Sequence, residues 1–146
     1  MTPTTSPLAT DLYELNMIQA YLDRGEAKTA VFEFFVRRLP ARRNFLLAAG
    51  LEDTLAYLET LRFSAAEIDW LKSTRRFRDN LIDYLAEFRF TGDVHAIPEG
   101  TVCFPYEPLV RITAPLPVAQ LVETRLINIM HFQTMIASKA ARMVLA

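Results

Sequence analysis

Apolar positions change their spacing several times along the chain, and each change marks an element. Leu15, Ile18 and Leu22 recur at helical spacing, which predicts a helix over 11–23 stopped by Gly25. TAVFEFFVRR is aromatic and β-branched and predicts a buried strand. RNFLLAAG is a shorter apolar run, either a strand or the approach to a helix. Beyond Gly50, Leu51, Leu55 and Leu58 share one helical face. Ser64 and Glu67 form an S-x-x-E capping box that opens AAEIDWLKS. RRFRD reads as a basic turn, and DNLIDYLAEF as another amphipathic helix.

The pattern then shifts. FTGDVHAIPEGTVCFPYEPLVRITAPL holds two glycines and four prolines between short β-type runs, which predicts three or four strands joined by tight turns. From Pro117, well placed in a first helical turn, the chain reads as helix to its last residue. Thirty residues is long for one helix, so a break between Met130 and Thr134 is expected. Its apolar residues lie nearly all round, which predicts a central, buried element. The segment runs to Ala146 without a stop signal, and the expectation is an N-terminal piece of a longer protein.

Composition narrows the classes. The 146 residues, 51% hydrophobic and 23% charged, suit one domain with a real core. A net charge of −1 argues against nucleic-acid binding through a general field. The basic residues are 13 Arg against 3 Lys, and Arg suits forked contacts to carboxylates and phosphates. Cys103 stands alone, which excludes an internal disulfide and fits a cytoplasmic location. The N-terminus lacks the form of a secretion signal, and no uncharged stretch is long enough for a bilayer span, so no membrane partner is expected.

Candidate chemistry is sparse. No Walker loop, dinucleotide fingerprint or nucleophile elbow is present, and His95 and His131 have no neighbours at metal-ligand spacing. His95 is expected on a strand flank, and His131 at the break in the long helix. TDLYE sets Asp11 and Tyr13 at a helix start: Asp11 reads as a cap or as an orienting group, Tyr13 as an edge residue or as a flat face for a planar ring. Arg37 and Arg38 close the first strand, where neighbours point to opposite faces, and Arg42 and Arg43 follow a proline turn. The four are a solvated turn or an anion site. Ser138 and Arg142 lie four apart on one helix face among alanines, which suits tight helix packing or close approach of a ligand.

Four segments together resemble the N-terminal portion of the nicotinate phosphoribosyltransferases: LATDLYELNMIQAYLDRG, AVFEFFVRRLPARRNFLLAAGLE, FRFTGDVHAIPEGTVCFPYEPLVRITAPL and AQLVETRLINIMHFQTMIASKAAR. They cover nearly the whole chain in the family's order. The resemblance implies an α/β (α+β) N-terminal domain of a type II phosphoribosyltransferase over 1–146. It would lack most or all of the C-terminal irregular α/β barrel, and 117–146 would be the helical segment leading into it.

The implied reaction joins nicotinate to 5-phosphoribosyl-1-pyrophosphate, giving nicotinate mononucleotide and pyrophosphate, with ATP hydrolysis and Mg²⁺ in the full-length enzyme. The implied assembly is a homodimer whose subunits share the active site. By the same resemblance Tyr13 stacks on the pyridine ring, Asp11 lies near the ring or ribose, and Arg38, or its neighbour Arg37, approaches the phosphates. Ser138 and Arg142 match the helix that leads into the barrel. No catalytic residue and no metal ligand is assigned within the 146 residues. His131 stands where the family usually has Asn. The phosphate loop, the main nicotinate arginine and the phosphorylated histidine would lie beyond Ala146, so the 146 residues alone are expected to be inactive, with an apolar face of the last helix exposed. The alternatives are a nicotinamide or quinolinate enzyme and a non-catalytic dimerisation domain.

Overall fold

The computed structural model describes residues 6–39, 41 and 43–146. Five helices and five strands follow one another as α1 (Leu12–Arg24), β1 (Thr29–Phe35), β2 (Leu46–Leu47), α2 (Leu51–Thr60), α3 (Ala65–Thr74), α4 (Asp79–Ala86), β3 (Asp93–Ala96), β4 (Val102–Cys103), β5 (Pro108–Pro115) and α5 (Leu116–Val144). This is the mixed α/β arrangement expected. The three strands after Phe90 match the predicted number. The Ser64–Glu67 capping box also forms, with the Glu67 carboxylate accepting from the Ser64 N–H at 2.7 Å.

An antiparallel sheet has β5 at its centre between β1 and β3, and β2 pairs with β4 in a separate two-stranded ribbon. β1 is therefore an edge strand, not the buried strand expected. Its residues alternate: Phe32 and Phe34 turn inward, while Val31, Glu33 and Phe35 are exposed. On the outer face Glu33 pairs with Arg111 opposite, Nη2 to Oε1 at 2.6 Å. The apolar alternates led to the wrong inference because an edge strand covered on one face can still carry exposed aromatics.

α5 is the organising element. It packs on β1, β5, β2, α1 and α2. Its first turns, Pro117 to Val122, are buried all round; beyond them burial narrows to Leu126, Met130, Thr134 and Ser138, one residue per turn. The expected break near Met130 does not occur. A single stripe at i+4 spacing packs on β2 and α2 without interrupting the helix, and His131 is exposed on a continuous turn. The centrally buried reading holds for the first turns only. Phe132, Ile136 and Met143 share an exposed apolar face, the latter 72% exposed. The core lies between α5, β5, α1 and α4, where Leu121, Leu109, Ile18 and Leu85 are fully buried. α1 is fastened to the α4 side by Arg78 and Asp23 at 2.8 Å.

Gly50 ends the β2 segment at φ +101°. A Cβ there would lie 3.2 Å from the Ile129 carbonyl and 3.3 Å from Met130 Cα. The left-handed backbone and the closeness of α5 both call for glycine. From that point α2 starts with its N-terminus against the turn that follows β3.

Candidate functional site

Asp11 caps α1 in extended conformation, and its backbone N–H faces Glu14 Oε2 at 3.4 Å. Glu14 is fully buried. Its Oε1 accepts from the Thr124 backbone N–H at 3.0 Å and lies 2.8 Å from Thr124 Oγ1 on α5. The same hydroxyl lies 3.2 Å from Asp11 Oδ2. One hydroxyl hydrogen serves one acceptor at a time, so Asp11 and Glu14 share it. Burial pushes the Glu14 carboxyl up to about 7, against the pull of the Thr124 and Asp11 hydrogen bonds.

Tyr13 sits between these two acids in sequence and is 47% exposed. Burial raises its phenol above the ordinary tyrosine range, and the charges of Glu123 and Glu14 add to that. The group is therefore a neutral, half-exposed phenol at physiological pH. Glu123 also lines an open cavity of about 220 Å³ between α5 and the inner face of β1 and β5, with Phe32, Phe34, Val122 and Ile127 around it. Its carboxylate is held by Gln120 Nε2 at 2.8 Å.

The arginines separate. β1 ends at Phe35, so Arg37 and Arg38 lie beyond the strand, both exposed, and the opposite-face argument does not apply to them. The turn they occupy is held by the Tyr106 N–H donating to the Val36 carbonyl at 2.8 Å and by the Phe35 and Tyr106 rings, 6.0 Å apart. Arg43 is half-buried against α5, with Nη1 3.4 Å from Met135 Sδ, which differs from a solvated turn. Arg42 lies outside the described residues.

Ser138 is fully buried. Its Oγ accepts the Leu47 N–H at 2.8 Å and donates to the Thr134 carbonyl. One turn back, Thr134 Oγ1 bonds both the N–H and the carbonyl of Ala49. Two hydroxyls of α5 thus satisfy the free edge of β2, which is the tight-packing alternative for Ser138. Arg142 is exposed near the end of α5.

The structure thus gathers Asp11 and Tyr13 around Glu14, Glu123 and Thr124, three residues not singled out from the sequence. Glu14 was legible as the last position of D-x-x-E in DLYE, the same signature seen at Ser64. Among the described residues no three His, Cys, Asp or Glu are grouped to hold a metal ion. No helix among them is long and apolar enough to cross a membrane.

The family model for the nicotinate phosphoribosyltransferase (NAPRTase) N-terminal domain matches residues 8–131. The chain belongs to that family. The match runs from just before Asp11 through Glu14 and Thr124, so both sides of the α1–α5 junction are part of the family domain. The chain is 50% identical over 139 residues to a nicotinate phosphoribosyltransferase of Mycobacterium tuberculosis, covering 95% of this chain and 30% of that one. It is 42% identical over 136 residues to the nicotinate phosphoribosyltransferase of Bacillus subtilis, covering 92% and 28%. The crystal structure of human nicotinic acid phosphoribosyltransferase superposes with a TM-score of 0.85 at 36% identity, over 93% of this chain and 28% of that one. The family domain described here spans under a third of the length of these relatives.

Proposed function

We propose that this domain forms the pyridine-facing wall of an enzyme that joins nicotinate to 5-phosphoribosyl-1-pyrophosphate, releasing pyrophosphate and coupled to ATP hydrolysis, in salvage of NAD. The observation that carries the reading is the 50% identity over 139 residues to a nicotinate phosphoribosyltransferase. Tyr13 offers its exposed ring face to the pyridine, and Asp11 orients a polar group of the ring or ribose. Arg38, with Arg37 beside it, meets phosphate oxygens through forked donors. Ser138 and Arg142 carry α5 toward the remainder of the enzyme. The active site is shared between two subunits of a homodimer in the cytoplasm.

Loss of pyrophosphate from C1 of the ribose develops positive charge on the sugar and negative charge on the leaving group. Residues of this domain act on that step by position: a stacked ring fixes the nucleophilic nitrogen, and arginines hold the departing charge. A Mg²⁺ ion accompanying the reaction would be bound chiefly through the diphosphate oxygens.

The test is turnover by the enzyme carrying this domain with nicotinate, nicotinamide and quinolinate. Nicotinate is expected to be preferred, and preference for another pyridine overturns the assignment. Tyr13→Ala should raise the nicotinate KM by up to about tenfold, the worth of a good aromatic stack. Arg38→Ala should raise the phosphoribosyl-pyrophosphate KM far more than Arg42→Ala; equal effects refute the division. The 146 residues alone are expected to give no phosphoribosyl transfer.

A further inference from the structure

The carboxyl of Glu14 is fully buried where α1 crosses α5. Its two oxygens have different duties. Oε1 takes both short contacts from Thr124, at 3.0 Å and 2.8 Å. Oε2 has the single long contact, from the Asp11 N–H at 3.4 Å. A proton entering this carboxyl therefore goes to Oε2, where least is lost. Oε1 stays a carbonyl acceptor and keeps Thr124, while the Asp11 N–H loses its acceptor. The fastening between helices survives protonation; the arm of the α1 capping box that Glu14 supplies does not.

Asp11 and Tyr13 belong to that cap. Burial biases the carboxyl toward holding its proton, against the Thr124 and Asp11 hydrogen bonds. Asp11 and Tyr13 flank it on α1, Glu123 adds negative charge from α5, and Tyr57 of α2 lies within the field of both Glu14 and Arg125.

We propose that Glu14 is a positioning residue, whose ionised carboxylate holds Asp11 and Tyr13 in place through the α1 cap and whose protonation on Oε2 loosens them. This rests on the reading of Tyr13 as the ring platform and adds to it a control by pH. Above neutrality the cap is closed and Tyr13 is fixed against α5. Below it the Asp11 N–H is released and the platform loosens, so affinity for the planar pyridine acid falls as the medium becomes acidic.

The experiment follows the nicotinate KM, at saturating phosphoribosyl pyrophosphate, from about pH 6 to about pH 8, either side of the Glu14 value of about 7. In the parent enzyme KM is expected to fall roughly fivefold across that range, the net worth of one hydrogen bond. Glu14→Gln, whose amide nitrogen cannot accept from Asp11, should show the acid-side KM throughout. A flat parent profile, or a Glu14→Gln profile that still inflects, overturns the proposal. Thr124→Val removes a hydrogen bond that stabilises the ionised form and should move the midpoint upward; an unmoved midpoint is equally adverse. Amide NMR after selective aspartate labelling gives a readout independent of turnover. The Asp11 resonance must titrate with the same midpoint, and a resonance that does not refutes the positioning role even if Tyr13 is the platform. If Asp11 titrates as expected while Tyr13→Ala leaves the nicotinate KM unchanged, the platform reading falls and the cap device stands.

Discussion

Removing the carboxylate of Glu99 should weaken the start of α2 in a measurable way. Glu99 sits on the turn between β3 and β4, and its Oε1 accepts from the N–H groups of Gly50 at 2.6 Å, Leu51 at 2.6 Å and Glu52 at 3.3 Å. α2 has no side-chain cap of its own, because Gly50 occupies the N-cap position. The first N–H groups of a helix lack partners within it, so a carboxylate brought from 49 positions away takes the role a local Ser or Asp would fill. The loss of a cap costs about 0.5–2 kcal/mol, and the charge at the positive end of the helix adds about 0.3–1 kcal/mol. Glu99→Ala should therefore destabilise by about 2 kcal/mol, a fall in Tm of roughly 6 °C for a chain of this size. Glu99→Gln keeps an acceptor oxygen and loses only the charge, so it should cost about half as much. Thermal and urea unfolding followed by circular dichroism measure both. If Glu99→Ala unfolds within about 0.5 kcal/mol of the parent, water replaces the carboxylate without loss and the capping argument fails.

Two further outcomes follow from local geometry. Gly92→Ala places a Cβ 2.7 Å from both the Ala114 Cβ and the Thr113 carbonyl, and β5 is backbone that cannot swing aside. A loss of about 1–3 kcal/mol in urea unfolding is expected, and a neutral result would mean that residues before β3 relax away from β5. The Glu14 carboxyl is raised from 4.5 to about 7 in the fold, so the folded state binds this proton more tightly than the unfolded chain. Its contribution to stability is full below about pH 4.5 and is lost as pH rises through about 7; the difference between parent and Glu14→Gln should change across that window and be level above it, and a constant difference would show that the carboxyl is not held protonated.

The helices were legible because their signals are local. Gly25 and the Ser64–Glu67 box fall where the chain starts and stops its turns, and Leu15 and Ile18 are buried as their spacing requires. The strands were legible in place and not in environment. β1 was expected inside and lies at an edge, because whether a strand has one neighbour or two is set by β5, whose pairing residues lie some eighty positions away. The break expected in α5 fails for the same kind of reason. Length alone suggested it, while a stripe of Met130, Thr134 and Ser138 bonded to β2 supports the helix from outside.

The sequence by itself determined the family, the places of the shorter helices and the candidate pair Asp11 and Tyr13, since these depend on residue identity and short spacings. Only the tertiary structure decided what surrounds that pair. Thr124 reaches Glu14 across 110 positions, and Ser138 is occupied by β2 across 91. Arg37 and Arg38 are exposed beyond a strand that ends sooner than its composition suggests. Burial and hydrogen-bond partners belong to the folded chain. They turn the unremarked last residue of DLYE into a buried acid under the proposed platform, and a proposed ligand-site serine into the pin of a short strand.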